Sequence, residues 1–121
     1  MKKELAVITS ASLGLHNGSM LTTCLMAEYE GGGCQNVGGI VLDTYNKEKE
    51  SREGTAAGCE LIRQLLFFFG VSDLSEVKNH VCYVLYEGEG SGRNPRGLEN
   101  IDFSTNDKKR NRVVYKDIFD N

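Results

Sequence analysis

The sequence contains no tryptophan, only one proline, and no long apolar run. A membrane-spanning helix needs about 20 consecutive apolar residues, whereas the longest apolar stretch, LLFFFG over 65–70, is much shorter. The N-terminal stretch opens with two lysines and apolar residues, as a secretory signal does, but Thr9, Ser10 and Ser12 interrupt it. We interpret this stretch as a β-strand, and we expect a cytoplasmic protein without membrane association.

The cysteines are too far apart in sequence to predict a metal site. The chain has no CxxC pair, and its cysteines are Cys24, Cys34, Cys59 and Cys82. Zinc sites usually draw their ligands from such close pairs. Because each cysteine lies in an apolar segment, we expect reduced thiols that pack as small hydrophobic side chains. The sequence therefore predicts no metal and no cofactor.

The balance of charge argues against general binding to nucleic acid. The formal net charge is −3 and the isoelectric point is about 5.4, whereas nucleic-acid affinity depends on clustered cations that displace phosphate counterions. The charges are nevertheless unevenly placed, because acidic residues dominate 28–60 and basic residues dominate 108–116, including Lys108, Lys109 and Arg110. Such a bipolar surface can attract a charged partner.

Periodicity predicts an α+β fold in the order β-β-β-α-β. An antiparallel sheet is expected to pack on one face against one main helix, within a single domain over 1–121. We expect a core over 1–87 and a loop-rich, irregular C-terminal tail over 88–121, in which 113–119 is a candidate for a last strand or a helical turn. The predicted strands are 3–15, 20–30, 35–43 and 80–87, and the predicted helix covers about 54–69.

Local signals refine this expectation. Asn17-Gly18 predicts a tight turn between the first two strands, and 44–53 is expected to be a charged loop. In the first strand, the residues expected to share one face are Leu5, Val7, Thr9, Ala11 and Leu13. In the helix, Thr55 or Ser51 is expected to be the N-cap and Gly70 the C-terminal glycine. The helix residues predicted to face the sheet are Leu61, Ile62, Leu65 and Leu66.

Glycine is concentrated in the segment EYEGGGCQNVGGIVLD, residues 28–43. The segment lacks the GxGxxG spacing of a nucleotide-binding turn. Paired glycines within a strand, here Gly38-Gly39, are typical of a bulge or of a close approach by another segment. We therefore expect these glycines to shape a bent β-hairpin.

Two catalytic arrangements are weighed and not favoured. A cysteine or serine nucleophile needs a base within hydrogen-bond reach, but His16 and His80 have no carboxylate beside them in sequence. Glu28, Glu30 and Asp43 could meet at one end of a hairpin and act as paired carboxylates. We favour instead solvated charges, which also protect a sheet edge from aggregation. The expected protein is therefore not an enzyme.

The stretch from LMAEYEGGG to NHVCYV resembles a family of small, uncharacterised proteins encoded by bacteriophages and mobile elements. The positions that carry the resemblance are Glu30–Gly33, Gly38–Asp43, Arg52–Thr55 and Gly70–Val84. The resemblance covers about half of the chain. It implies a phage or mobile-element accessory protein, and such proteins are often inhibitors of host defence, including anti-CRISPR proteins.

These observations give two functional hypotheses. In the first, a non-enzymatic protein occludes a host protein or nucleoprotein complex by placing acids in a basic groove, and the partner-binding residues are Glu28, Glu30, Asp43, Glu48 and Arg52. In the alternative, the chain sequesters a small nucleotide signal at the start of the helix, with Gly54, Thr55 and Arg52 as ligands. The oligomeric state is left open, a homodimer included.

Overall fold

The computed structural model describes residues 1–16, 18–101 and 111–119. The strands are β1 (Lys2–His16), β2 (Met20–Tyr29), β3 (Cys34–Asn36), β4 (Asp43–Asn46), β5 (Ser51–Gly54), β6 (Val81–Glu87), β7 (Asn94–Glu99) and β8 (Arg112–Val114). Six antiparallel strands form the main sheet in the order β3-β2-β1-β6-β7-β8, and β4 and β5 form a separate two-stranded sheet. The predicted α+β class with antiparallel strands is confirmed. The helices are α1 (Ala56–Phe69) and α2 (Tyr115–Phe119), with 3-10 turns at Leu74–Val77 and Gly90–Gly92.

The helix α1 begins and ends at the residues that the sequence indicates. The hydroxyl of Thr55 accepts a hydrogen bond from the Gly58 amide, which satisfies one of the free N–H groups of the first turn. Gly70 ends the helix in the left-handed conformation, with φ 67. The buried face contains Leu61 and Leu65, as predicted, and continues through Phe68 and Phe69. The predicted Ile62 and Leu66 lie on its flanks and are only partly buried.

The prediction that alternate residues from Leu5 to Leu13 share one face of β1 is wrong. Ala6 and Ile8 point into the core, so Leu5 and Val7 point to the opposite face of the sheet. The β1–β2 register shifts between Ile8 and Ser10, and one extra residue reverses the alternation of side chains. Beyond this bulge Ala11 packs against the core.

The predicted strand over 35–43 is shorter than expected. Only Cys34–Asn36 is regular, and 37–42 then continues beside β2 through bonds such as Val37 N–H to the Leu25 carbonyl, 2.8 Å. A Cβ added at Gly38 would lie 2.6 Å from Leu25 Cδ1. Glycine is required at Gly38 because this segment approaches β2 too closely for a larger side chain, which confirms the expected close approach.

The segment 44–53 is a hairpin and not the predicted loop. Its turn is built by Asn46, whose side-chain oxygen accepts hydrogen bonds from the amides of Glu48 and Lys49. Glu50 completes the turn with φ 52, a conformation rare for residues other than glycine. The strands of this hairpin are almost entirely polar, so they lack the apolar alternation by which a strand is detected in sequence.

The prediction of an irregular tail over 88–121 is wrong for 94–99, whereas 113–119, expected to be a last strand or a helical turn, contains the end of β8 and then α2. β7 and β8 extend the main sheet, and Leu98, Val113 and Ile118 are buried in its core. The hydroxyl of the buried Tyr115 donates to the Val37 carbonyl, 2.6 Å away. Glycine and the single proline interrupt the apolar alternation of β7, so its sequence does not show the pattern of a strand. The predicted basic residues Lys108, Lys109 and Arg110 lie outside the described residues, as does Asn17 of the predicted turn.

No helix among the described residues is long and apolar enough to cross a membrane.

Candidate functional site

The structure separates the acids predicted to bind a partner. Glu28 and Glu30 are exposed at the end of β2 and in the turn that follows it. Asp43 lies near the opposite end of β2, where its carboxylate accepts a hydrogen bond from the Leu21 amide. Leu21 and Glu28 are seven positions apart along β2, which corresponds to a distance of roughly 23 Å at about 3.3 Å per residue. Glu48 is exposed at the tip of the β4–β5 hairpin, so these acids form no single cluster.

Asp43 and Arg52 bind each other. The Arg52 guanidinium donates to Asp43 Oδ1 from Nη2, at 2.8 Å, and from Nε, at 3.1 Å. The two side chains are only 7% and 24% exposed, for Asp43 and Arg52 respectively. The hydrogen bonds from Arg52, followed in importance by the Leu21 amide, hold the pKa of the Asp43 carboxyl below its ordinary value. This pair joins β4 to β5, and the bond from the Leu21 amide attaches the hairpin to β2. Little of either charge is available to a partner.

The start of α1, where the alternative hypothesis places a nucleotide, is occupied by contacts within the chain. The Thr55 hydroxyl donates to the Leu42 carbonyl, 2.7 Å away, and accepts from the Gly58 amide, 3.0 Å away. Gly54 has open space around its Cα, but Thr55 acts as a helix cap and Arg52 is held by Asp43. The nucleotide hypothesis stays a prediction. Within the described residues, no additional group at the start of α1 points to such a ligand.

A second arrangement, on the outer face of the sheet, combines two of the predicted acids with apolar side chains. The register aligns Val81, Val7 and Glu28 in one cross-strand row. The neighbouring row contains Leu5, whose carbonyl accepts a hydrogen bond from the Glu30 amide at 2.9 Å. We call these five residues the acidic-apolar patch. They line a shallow pocket of about 390 Å³, together with Ala6 and Tyr29.

The acidic-apolar patch is accessible to a partner. Val81 is 44% exposed, Glu28 and Glu30 are exposed, and Leu5 and Val7 are partly buried. Three apolar side chains beside two carboxylates offer both apolar area and negative charge. The sequence analysis identified the two acids but not the apolar half, because only the pairing of β1 with β2 and β6 brings Leu5, Val7 and Val81 beside them.

An arginine that the sequence analysis missed fixes the turn that presents Glu30. The Arg93 guanidinium lies between two rings, 4.5 Å from the Tyr29 centroid and 3.9 Å from that of Tyr86. Its Nη1 donates to Glu4 Oε1, at 3.0 Å. Glu4 Oε2 accepts in turn from the Gly31 amide, at 3.1 Å. These contacts join β1, β2, β6 and the loop before β7 to the glycine turn.

Gln35 extends the network around Arg93. Its side-chain oxygen accepts from the Tyr29 hydroxyl at 2.7 Å, and its Nε2 donates to the Arg93 carbonyl at 2.9 Å. Burial raises the pKa of the Tyr29 hydroxyl, so this group stays protonated and acts as a donor. The network therefore stabilises the position of the turn, although the buried Nε of Arg93 has no hydrogen-bond partner among the described residues.

A pocket beside this network brings together two glycine-rich turns that are far apart in sequence. Its volume is about 380 Å³, and it lies between Gly32-Gly33 and Gly90-Ser91. Gly32 and Gly33 have φ values of 97 and 87, and Gly90 has φ 56, which is the region that glycine adopts without strain. The presence of these glycines is therefore explained by the backbone conformation of the two turns.

The cysteines and histidines show no catalytic arrangement within the described ranges. The expectation that the cysteines pack as small hydrophobic side chains is wrong for Cys34 and Cys59, which are exposed. The thiol of Cys82 is buried, and burial raises its pKa to about 12. The ring of His80 packs against Phe69, and its Nδ1 lies 2.9 Å from the Val77 carbonyl. Within residues 1–16, 18–101 and 111–119, no group of three or more His, Cys, Asp or Glu side chains could hold a metal ion.

Comparison with known proteins gives no match: no protein-family model matches the chain, and no curated protein or solved structure is significantly similar to it.

Proposed function

We propose that this chain is a non-enzymatic binding protein of a phage or mobile element that uses the acidic-apolar patch to occlude a cationic surface of a host defence complex. The observation that carries the proposal is the cross-strand register that places the exposed Glu28 and Glu30 beside Leu5, Val7 and Val81. Charge complementarity then selects a basic partner and increases the rate of association.

The rigid support of the patch favours a role in recognition. Glu28 lies within β2, between β1 and β3, and the backbone of Glu30 is bonded to Leu5. The turn after Glu30 is held by Glu4 and Arg93. Binding to a fixed surface loses less conformational entropy than binding to a loop that must become ordered.

The resemblance to phage and mobile-element proteins supports the choice of a host defence complex as the partner. Complexes that handle nucleic acid carry cationic grooves, because they must neutralise phosphate charge. An acidic surface with an apolar half can occupy such a groove and exclude the nucleic acid. The proposal assigns the recognition role to Glu28 and Glu30, whereas the role predicted for Glu48 stays a prediction.

The proposal is tested by affinity capture from a bacterial host extract with three tagged proteins. These are the wild type, the double variant Glu28→Gln/Glu30→Gln, and the control Glu50→Gln/Glu53→Gln, which changes the net charge equally at exposed residues of the β4–β5 hairpin. We expect the wild type and the control to retain the same nucleic-acid-handling complex, and the patch variant to lose it. Equal recovery by all three proteins, or capture of no complex by the wild type, would overturn the proposal.

A further inference from the structure

One edge of β1 has no neighbouring strand among the described residues over its second half. β1 pairs with β2 along most of its length but with β6 only over Lys2–Val7. Ile8 still bonds to the segment before β6, through the amide of Asn79 and the carbonyl of His80. From Thr9 to His16, no backbone bond to another described segment is present on that side.

The unpaired edge presents backbone donors and acceptors. Three residues of β2 direct backbone groups away from β1, through bonds to 37–42: Leu21, Thr23 and Leu25. In an antiparallel pair, two residues that face each other either both direct their backbone N–H and C=O groups toward the partner strand or both direct them away from it. The opposite residues of β1, whose N–H and C=O groups therefore point to the unpaired edge, are Ala11, Leu13 and Leu15.

The side chains on this edge form an apolar row that extends the core. The side chains of these three residues lie on the same face as their cross-strand partners, of which Leu25 and Thr23 are buried and Leu21 is partly buried. Ala11 packs against the core, whereas Leu13 is 44% and Leu15 is 69% exposed. The segment from Thr9 to Leu15 contains no charge and no proline, the two features that commonly protect an edge strand from pairing.

We propose that this edge binds a second copy of the chain, antiparallel, about a two-fold axis at Leu13. Leu13 of each copy then lies opposite Leu13 of the other, and Ala11 lies opposite Leu15. Each of these pairs exchanges two backbone hydrogen bonds, because all of the residues direct their groups to the edge.

The second copy is the favoured occupant because the edge is complementary to itself. Two-fold symmetry brings the same surface of both copies together, and here it joins the two apolar rows into one. The absence of charge from Thr9 to Leu15 removes like-charge repulsion between identical strands. The contact also covers the exposed parts of Leu13 and Leu15, which one copy alone leaves in water.

The test is sedimentation equilibrium together with amide hydrogen exchange, from about 10 μM to about 1 mM, because short interfaces belong to the weak class. Leu13→Lys places two ammonium groups at the symmetry axis while altering a side chain that is already exposed. Val41→Lys is the matched control, since Val41 is 40% exposed and lies beside Thr22 on the opposite edge of the same hairpin.

We expect the wild type and Val41→Lys to form dimers, and Leu13→Lys to remain monomeric across this range. The amides of Ala11, Leu13 and Leu15 should exchange more slowly as the wild-type concentration rises. A wild type that remains monomeric at the highest concentration would overturn the proposal. So would a Leu13→Lys variant that dimerises as well as the wild type, or amides equally protected at every concentration, because the edge would then be covered within one chain.

Discussion

Replacing Gly58 with alanine should destabilise the protein, although alanine is the better helix former. Gly58 lies in the first turn of α1 and is buried against the segment that precedes β4. An added Cβ would meet the Leu42 carbonyl oxygen in severe overlap and would lie 2.8 Å from Leu42 Cβ. The Leu42 backbone has little freedom to move, because its amide bonds to Leu21 and its carbonyl accepts from Thr55.

The expected magnitude follows from two opposing effects. Alanine in place of glycine stabilises a helix by about 1 kcal/mol, whereas overpacking of a constrained site costs about 1–3 kcal/mol, or more. Because the contact is with backbone, we place the cost at ~3–4 kcal/mol, and the net loss at ~2–3 kcal/mol. For a chain of this size the melting temperature should fall by about 10 °C.

The measurement is thermal and urea unfolding by circular dichroism, with Gly54→Ala as the matched control. Gly54 lies four residues earlier, has nothing within 4 Å of an added Cβ and needs no positive φ. We expect the control to stay within about 0.5 kcal/mol of the wild type. A Gly58→Ala protein that is more stable than the wild type would refute the packing of α1 against Leu42.

Three further predictions concern the core, a thiol and an ion pair. Leu65→Ala should lower the free energy of unfolding by about 2–5 kcal/mol in urea titrations, since Leu65 is fully buried; a loss below about 1 kcal/mol would contradict that burial. The thiol of Cys82 should resist a thiol reagent in the native protein and react after unfolding, because burial raises its pKa to about 12; reaction as fast as that of the exposed cysteines would contradict this environment. The lowered pKa of Asp43 means that its pairing with Arg52 stabilises the fold above the ordinary carboxyl pKa, and that this contribution is lost as pH falls through the lowered value. Asp43→Asn should therefore be less stable than the wild type at neutral pH, and the two should converge in acid; a constant difference from neutral to acidic pH would contradict the linkage.

The features that depend on local signals were predictable from the sequence. The stripe of apolar residues, the Thr55 cap and the Gly70 terminus located α1 to within two residues. In β2, Thr23, Leu25 and Ala27 alternate without interruption and are all buried. In β1, alternate residues do not share one face, since the bulge after Ile8 reverses the alternation, and no residue type in that stretch marks a bulge.

The features that depend on contacts between distant residues were not predictable. Glu4, Tyr29, Tyr86 and Arg93 are separated by long stretches of sequence and meet only when β6 pairs with β1. Glu28, Glu30 and Asp43 were expected to meet at one end of a hairpin, but the segment 37–42 runs antiparallel to β2 and carries Asp43 to the end opposite Glu28. The sequence therefore identified the two acids of the acidic-apolar patch, whereas its apolar residues required the fold.

The proposed function depends on recognition of a basic partner by the acidic-apolar patch. The most direct measurement is the association rate of the captured complex with the wild type, Glu28→Gln/Glu30→Gln and Glu50→Gln/Glu53→Gln, at low and at high salt. We predict that the patch variant associates more slowly than the control at low salt, and that the difference shrinks at high salt, where charges are screened. Equal rates for the two variants at both salt concentrations would contradict the account.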